Sequence, residues 1–456
     1  MKRIAAFAAP AILVASCAAV GPDYTPPTMA LSQHFVHGAM TPLPNVAAEP
    51  WWTGFDDPLL NDLVARGLSQ NLSLGSARAR IRQAEAALAG TGAVAQISGG
   101  LTADAGRQKD SSGDIEDRDA LSASAAYIFD LFGGFRRGRQ AASASLEAAQ
   151  FDEGTVRLAY LGDILDAYIN ARHAQNAAWI TRQAIESRRA TLTLVRRQVE
   201  AGAATAFDVE RAQTQLRRAE AVLPDQQASF EASVYRIATL LAEPAEPILR
   251  SLQHGARQPM PRRSAEQGVP ADLLRNRPDV RAAERDLAAA TAAIGIAEAQ
   301  LYPSLTLSGT VVDGEDDTWS FGPRLTLPVL NQGVLRAGRN RAVAEASEAE
   351  IAWRAAVIDA VEQVQTAEAF TRNLRRQVEA QRNAAASADR LRALSRQSYE
   401  NGESRLSDVL DADRQALEAE LELAGGLRDL ALSWVQLNVA TGRGWAVGSA
   451  PVEIGG

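Results

Sequence analysis

Between Phe135 and Ala201, and again between Val334 and Asn401, the chain contains no proline. Proline is the residue that most sharply ends a helix, so each run reads as one uninterrupted helix. At 1.5 Å per residue each would span on the order of 100 Å, wider than a compact domain. In the second run Ile351, Ala355, Ile358, Val361, Val364, Phe370 and Leu374 mark an apolar stripe, with arginine and glutamate between them. Each run ends at a glycine turn, Gly202 or Gly402, and a shorter helix returns. The first return, Ala203 to Leu241, is only about 60 Å long, and an upstream helix from Leu72 to Ala93 would stack on it to match the length.

Four other stretches have a different period. ISGGLTADAG from Ile97, ALSASAAYIFDLF from Ala120, SLTLSGTVV from Ser304 and TWSFGPRLTLPV from Thr318 alternate apolar with small polar residues. Strand side chains point to alternate faces, which collects Ile97, Leu101, Ala103, Leu121, Tyr127, Phe129, Leu305, Leu307, Val311, Trp319, Phe321 and Leu325 on apolar faces. Ser98, Thr102, Ser122, Ser124, Thr306, Ser320 and Arg324 fall opposite. Strands are expected near residues 96–106, 120–132, 303–312 and 318–329, each close to the ~9–11 residues that cross a bilayer at a tilt. Tyr127 and Trp319 suit its interfaces. The charged stretches RQKDSSGDIEDRD and DGEDD read as turns in water. Four strands cannot close a barrel, and lipid forbids an open sheet edge. Two copies give eight strands, a barrel filled by its own side chains, whereas three give twelve and leave a channel. A trimer is the smallest closed, hollow assembly.

EAGAATAFDVERA from Glu200 matches ENGESRLSDVLDA from Glu400, and FGGFRRGR matches QGVLRAGR, all at a constant offset of 200 residues. The chain reads as a tandem duplication. The expected organisation is a signal peptide over 1–16, a lipidated N-terminal segment over 17–56, a first repeat over 57–242, a proline-rich linker over 243–269, a second repeat over 270–442 and a tail over 443–456.

Lys2 and Arg3 precede about a dozen apolar residues, a secretory signal too short to span a bilayer. It runs through Leu13, Val14, Ala15 and Ser16 to Cys17, the only cysteine of 456 residues. Small residues leading to a lone cysteine resemble the lipobox of bacterial lipoproteins, which implies Cys17 as acyl acceptor. Ala18 follows where an aspartate would signal inner-membrane retention, which favours the outer membrane. A net charge of −8 argues against nucleic acid as a partner. There is no H-E-x-x-H or G-x-S-x-G signature, His34 and His37 read as loop positions, and the four methionines avoid the predicted strands and long helices. No enzyme, cofactor or metal site is expected.

CAAVGPDYTPP at Cys17, WWTGFDDPLLNDLV at Trp51 and VPADLLRNRPDVRAAERDLAAATAAIGIAEAQLYPSLTLSG at Val269 resemble the TolC-like outer-membrane efflux factors, in particular the lipoprotein branch serving resistance-nodulation-division pumps. The resemblance implies a mainly α fold with transmembrane β: a homotrimer whose 12-stranded β-barrel continues into a 12-helix periplasmic α-barrel. It implies a passive exit duct in outer-membrane lipid, with tips at Gly202 and Gly402 that dock a periplasmic adaptor (a membrane fusion protein) and an inner-membrane pump. It places Asp408 and Asp411 in an aspartate ring at the periplasmic aperture, and Tyr399 with Asp208 in a link that holds the mouth shut. The arginine of that latch is replaced by Ser404, with Arg405 one place on. The rival reading is a non-conducting coiled-coil envelope lipoprotein, which accounts for the helices but not for the strands.

Overall fold

The computed structural model describes residues 19–37, 41–109, 111–113, 115–255, 257–262, 268–314 and 317–446. The signal segment, Cys17 and the last residues of the tail lie outside them. In chain order the elements are α1 (Pro58–Gln70), α2 (Leu72–Ala89), β1 (Ile97–Lys109), β2 (Ile115–Phe129), α3 (Gly134–Glu200), α4 (Ala206–Leu241), α5 (Ala245–Gln253), α6 (Leu273–Asn276), α7 (Pro278–Ala299), β3 (Ser304–Asp313), β4 (Thr318–Thr326), α8 (Gln332–Glu400) and α9 (Leu406–Ala440). Both proline-free runs are single helices, of 67 and 69 residues. No described helix is long and apolar enough to cross a membrane.

The chain divides into two compact units. The first holds residues up to Ala30, then Ala77–Asp152 and Asp279–Val357; the second holds Leu31–Ser76, Glu153–Pro278 and the rest from Ile358.

In the first unit the four strands form one antiparallel sheet in the order β1-β2-β3-β4. The first hairpin is longer than its alternation suggested. The charged stretch read as a turn is mostly strand, because β1 runs on to Lys109 and β2 begins at Ile115. Hydrophobic alternation stops there but the ladder does not, and Arg107 and Asp117, opposite each other, pair through bonds of 2.6 and 3.0 Å. Below the sheet, the Asp130 carboxylate accepts the Phe135 and Arg136 amides at 3.2 and 3.0 Å and so caps the first turn of α3.

The core of the second unit gathers α1, the middle of α3, the end of α4, α5 and the end of α9 around Leu60, Leu63, Ile164, Leu165, Tyr168, Ile237, Leu241 and Trp434. Tyr168 is wholly buried and donates its hydroxyl to Asp57, the N-cap of α1. Arg172 reaches the same hydroxyl at 3.1 Å and the Leu252 and His254 carbonyls at 3.4 and 3.2 Å. The stretch read as a proline-rich linker is therefore partly structural. Pro247 sits in the first turn of α5, where a missing amide costs nothing, and Ile248 and Leu252 on that helix enter the core.

Candidate functional site

Two places carry functional candidates, and each lies inside one unit. The sheet comes first. Its register aligns Ile97 with Tyr127 and Leu307, Leu101 with Ala123, Val311 and Trp319, and Phe129 with Leu305 and Leu325. The odd-numbered face is thus continuous across the β2–β3 seam, which joins the two hairpins. It is also bare: Trp319 is 78 % exposed, Leu101 71 % and Phe321 70 %. The even-numbered face aligns Thr102 with Ser122, Val312 and Thr318, and Ser124 with Thr310 and Ser320, polar but for Val312 in these rows. Among the described residues β1 and β4 each have a strand neighbour on one side only. An apolar face this large marks a surface that meets lipid or another protein.

The helix tips belong to the second unit. Gly202 and Gly402 take φ of +74° and +79°, the left-handed backbone that glycine adopts at little cost after a helix. The two turns are bonded alike. Ala203 N donates to Gln198 O at 2.7 Å, and Glu403 N to Ser398 O at 2.8 Å. Gly202 N donates to Val199 O at 2.9 Å, and Gly402 N to Tyr399 O at 3.0 Å.

Asp208 and Asp408 then start the two returning helices. The Asp208 carboxylate accepts the Thr205 amide at 3.0 Å and the Thr205 hydroxyl at 2.7 Å, and these bonds hold it below the usual carboxylate range. Asp408 accepts the Arg405 amide at 3.1 Å. Both aspartates occupy the third helical position and accept the N-cap amide, completing a capping box at Thr205 but only half of one at Arg405, whose side chain has no acceptor, and this local role is sufficient to explain their recurrence. Asp411 is exposed on the next turn, with Arg414 at 3.7 Å.

The structure does not bond Tyr399 to Asp208. Tyr399 packs among Val195, Leu406, Val409 and Leu410, and its hydroxyl donates to Gln198 Oε1 on α3. Asp208 is engaged by its own cap, although its charge, after burial, adds to the upward push on the Tyr399 hydroxyl. Ser404 reaches only the Ser395 carbonyl, at 3.5 Å.

A second contact between the hairpins lies further from the tips, and no motif announced it. Arg396 on α8 donates to Thr191 Oγ1 at 3.2 Å and to the Ser187 carbonyl at 3.4 Å, both on α3. Nearby, Asp413 on α9 is 7 % exposed, and its Oδ2 has no hydrogen-bond partner. Burial pushes its carboxyl up, while Arg396, Arg188 and Arg392 pull it down. Arg188 is itself buried and spends one amino group on the Gln215 carbonyl at 3.0 Å. The signal was in the spacing. Asp413 falls on the buried stripe of Leu406, Val409, Leu410 and Ala416, where a charge is out of place.

Tyr399→Phe keeps the packing and removes only the bond to Gln198. We expect more leak of small antibiotics through cells carrying the variant, with thermal stability lowered by about 0.5–1.5 kcal/mol. Unchanged antibiotic sensitivity would remove Tyr399 from the closed-state link.

The family model described as "Outer membrane efflux protein" matches residues 63–243 and 269–443. The chain belongs to the outer membrane efflux protein family. Nodulation protein T of Rhizobium leguminosarum bv. viciae is 39 % identical over 97 % of this chain and 94 % of its own. The pyoverdine export outer membrane protein OpmQ of Pseudomonas putida is 30 % identical over 93 % of this chain and 95 % of its own. Among solved structures, the outer-membrane channel OprN superposes with a TM-score of 0.84 at 31 % identity, covering 93 % of this chain and 99 % of the other. This outer membrane efflux protein therefore resides in the outer membrane, and in that setting the bare apolar face has a solvent that suits it.

Proposed function

We propose that the protein is the passive exit duct of a tripartite efflux pump: a homotrimer whose sheets join into a 12-stranded barrel and whose long helices form a periplasmic tunnel. The observation that carries the reading is the register of the sheet. One unbroken apolar face, one polar face and two open edges are what a third of a water-filled barrel requires, because lipid tolerates the first and forbids the last. A non-conducting spacer has no use for such a sheet.

The tips at Gly202 and Gly402 dock the periplasmic adaptor, which couples the duct to an inner-membrane pump. Asp408 and Asp411 from three chains ring the aperture, where six carboxylates draw cations and resist closer approach. Tyr399 holds the two hairpins of one chain together through Gln198, with the Asp208 charge close by, and Arg396 does so further from the tips. Cys17 carries the lipid anchor. The matched tip hydrogen bonds at positions 200 residues apart support an origin by tandem duplication.

Native mass spectrometry of the protein extracted from outer-membrane fractions tests the assembly and the anchor together. The expected result is three copies, each beginning at an acylated Cys17. A monomer or dimer leaves too few strands for an open channel and overturns the duct.

A further inference from the structure

The apolar face of the sheet is not uniformly rough. Its register lines up Gly99, Ala125 and Gly309 in one cross-strand row, with Phe321 at the end on β4. Larger residues stand on either side: Ile97, Tyr127 and Leu307 two positions toward the helices, and Leu101, Val311 and Trp319 two positions away. The result is a groove of about 690 Å³ floored by Ala123, Ala125 and Gly309, within the ~300–1,000 Å³ range of small-molecule sites. Gly99 is fixed there sterically, and at Gly309 a side chain would need the Phe321 ring to give way slightly. A Cβ at Gly99 would stand 2.7 Å from the Ser124 carbonyl oxygen, and one at Gly309 would stand 3.2 Å from the Phe321 ring.

The chain next to the lipidation position is bolted to the same unit, at the foot of β2. Val20 N donates to the Phe132 carbonyl at 3.0 Å. Arg137 binds the Val20 and Gly21 carbonyls at 3.1 and 3.0 Å and pairs with Asp23 at 2.9 Å. Gly133, at φ +78°, lets Ala19 approach so closely that its Cα lies 2.5 Å from where a Cβ would be. Only Ala18 separates Ala19 from Cys17, so the thiol-bearing residue lies within about 8 Å of this fixed point. The strap's bond at Phe132 is seven residues from the groove at Ala125, at most about 25 Å of chain, a span that two residues and a long acyl chain cover together.

We propose that an acyl chain carried by Cys17 lies in this groove, against Ala125 and Gly309, so that the anchor is a ligand of the barrel wall as well as a tether. The inference rests on the reading of Cys17 as the lipidated residue. Its occupant is the chain's own modification, chosen because the strap ends within reach of the groove and because the groove is apolar on its floor and both walls. A rigid strap holds the acyl chain's point of attachment beside the sheet, so docking it in the groove orders less than docking a free lipid does.

The test uses the full-length protein from bacteria fed a diazirine-bearing palmitic acid, illuminated in the membrane, purified and digested for mass spectrometry. The expected result is a crosslink between the Cys17 peptide and peptides holding residues 97–101, 123–127 or 307–311. Ala125→Leu fills the floor from an exposed position on the face and should lower that crosslink several-fold while the mass at Cys17 stays unchanged. Adducts on those strands that carry a whole phospholipid instead would overturn the proposal, as would crosslinks from Cys17 confined to helices, or a crosslink indifferent to Ala125→Leu. An unmodified Cys17 overturns it by removing the lipidation reading, and intact mass alone reports that case. The wild-type crosslink map decides without the variant if the variant does not fold.

Discussion

Phe321→Arg lowers the stability of the membrane-embedded assembly by about 2–4 kcal/mol per chain, and Ser320→Arg, one residue away, leaves it within about 0.5 kcal/mol. The two residues sit side by side on β4 but on opposite faces, Phe321 in the row with Gly309 and Ala125, Ser320 in the row with Thr310 and Ser124. A guanidinium at position 321 would enter lipid near the middle of the strand and would uncover the Gly309 backbone, over which the ring now lies. One at position 320 would enter water. If each assembly holds three chains the first penalty is paid three times, so heat-resistant oligomers of Phe321→Arg should be scarce on semi-native gels. The Ser320→Arg channel should run as wild type, and its ionic selectivity should move toward anions. Equal damage by both would mean that the faces have been assigned wrongly.

Trp434→Ala has a comparable effect for an unrelated reason. Trp434 is 3 % exposed and meets Trp51 and Phe55 edge to face, with ring centroids 5.4 and 5.0 Å apart. It ties helix α9 to the N-terminal residues just ahead of α1, contacts that are distant in sequence and lie beside the Trp51 Nε1 bond to the Arg443 carbonyl. Truncation of a buried aromatic costs about 3–5 kcal/mol through lost transfer energy and the cavity left behind. Thermal unfolding in detergent should show it, with Trp434→Phe intermediate. A Trp434→Ala midpoint within a degree or two of wild type would show that this aromatic cluster collapses around the gap.

The sheet was legible for one reason: an apolar face and a polar face impose a period of two, and both hairpins obey it. The apolar alternation stops before the ladder does, which is why the ladder from Arg107 to Asp117 read as a turn. The glycine turns at Gly202 and Gly402 were legible because a left-handed residue after a long helix has few alternatives to glycine. The link at Tyr399 was only half legible. Its apolar neighbours follow from helical spacing, but the partner of its hydroxyl depends on how α3 is rotated about its axis, and that rotation presents Gln198. Asp208 matched a family position, yet the position is also the third of a helix, where an aspartate has its own cap to make. Asp413 and Arg188 were unreadable as neighbours, because they lie on α9 and α3, more than two hundred positions apart.

The two open edges of the sheet bear on inheritance. In the proposed trimer, a chain that presents half of two unfinished ladders cannot choose partners by quality; it takes whichever copy completes the backbone bonding. In a cell expressing a sound and a damaged version together, most closed assemblies would contain at least one damaged chain. Mutations in the helix tips that leave β1 and β4 intact should therefore behave as dominant, while mutations that destroy an edge should be recessive, because such chains never enter the company of the others.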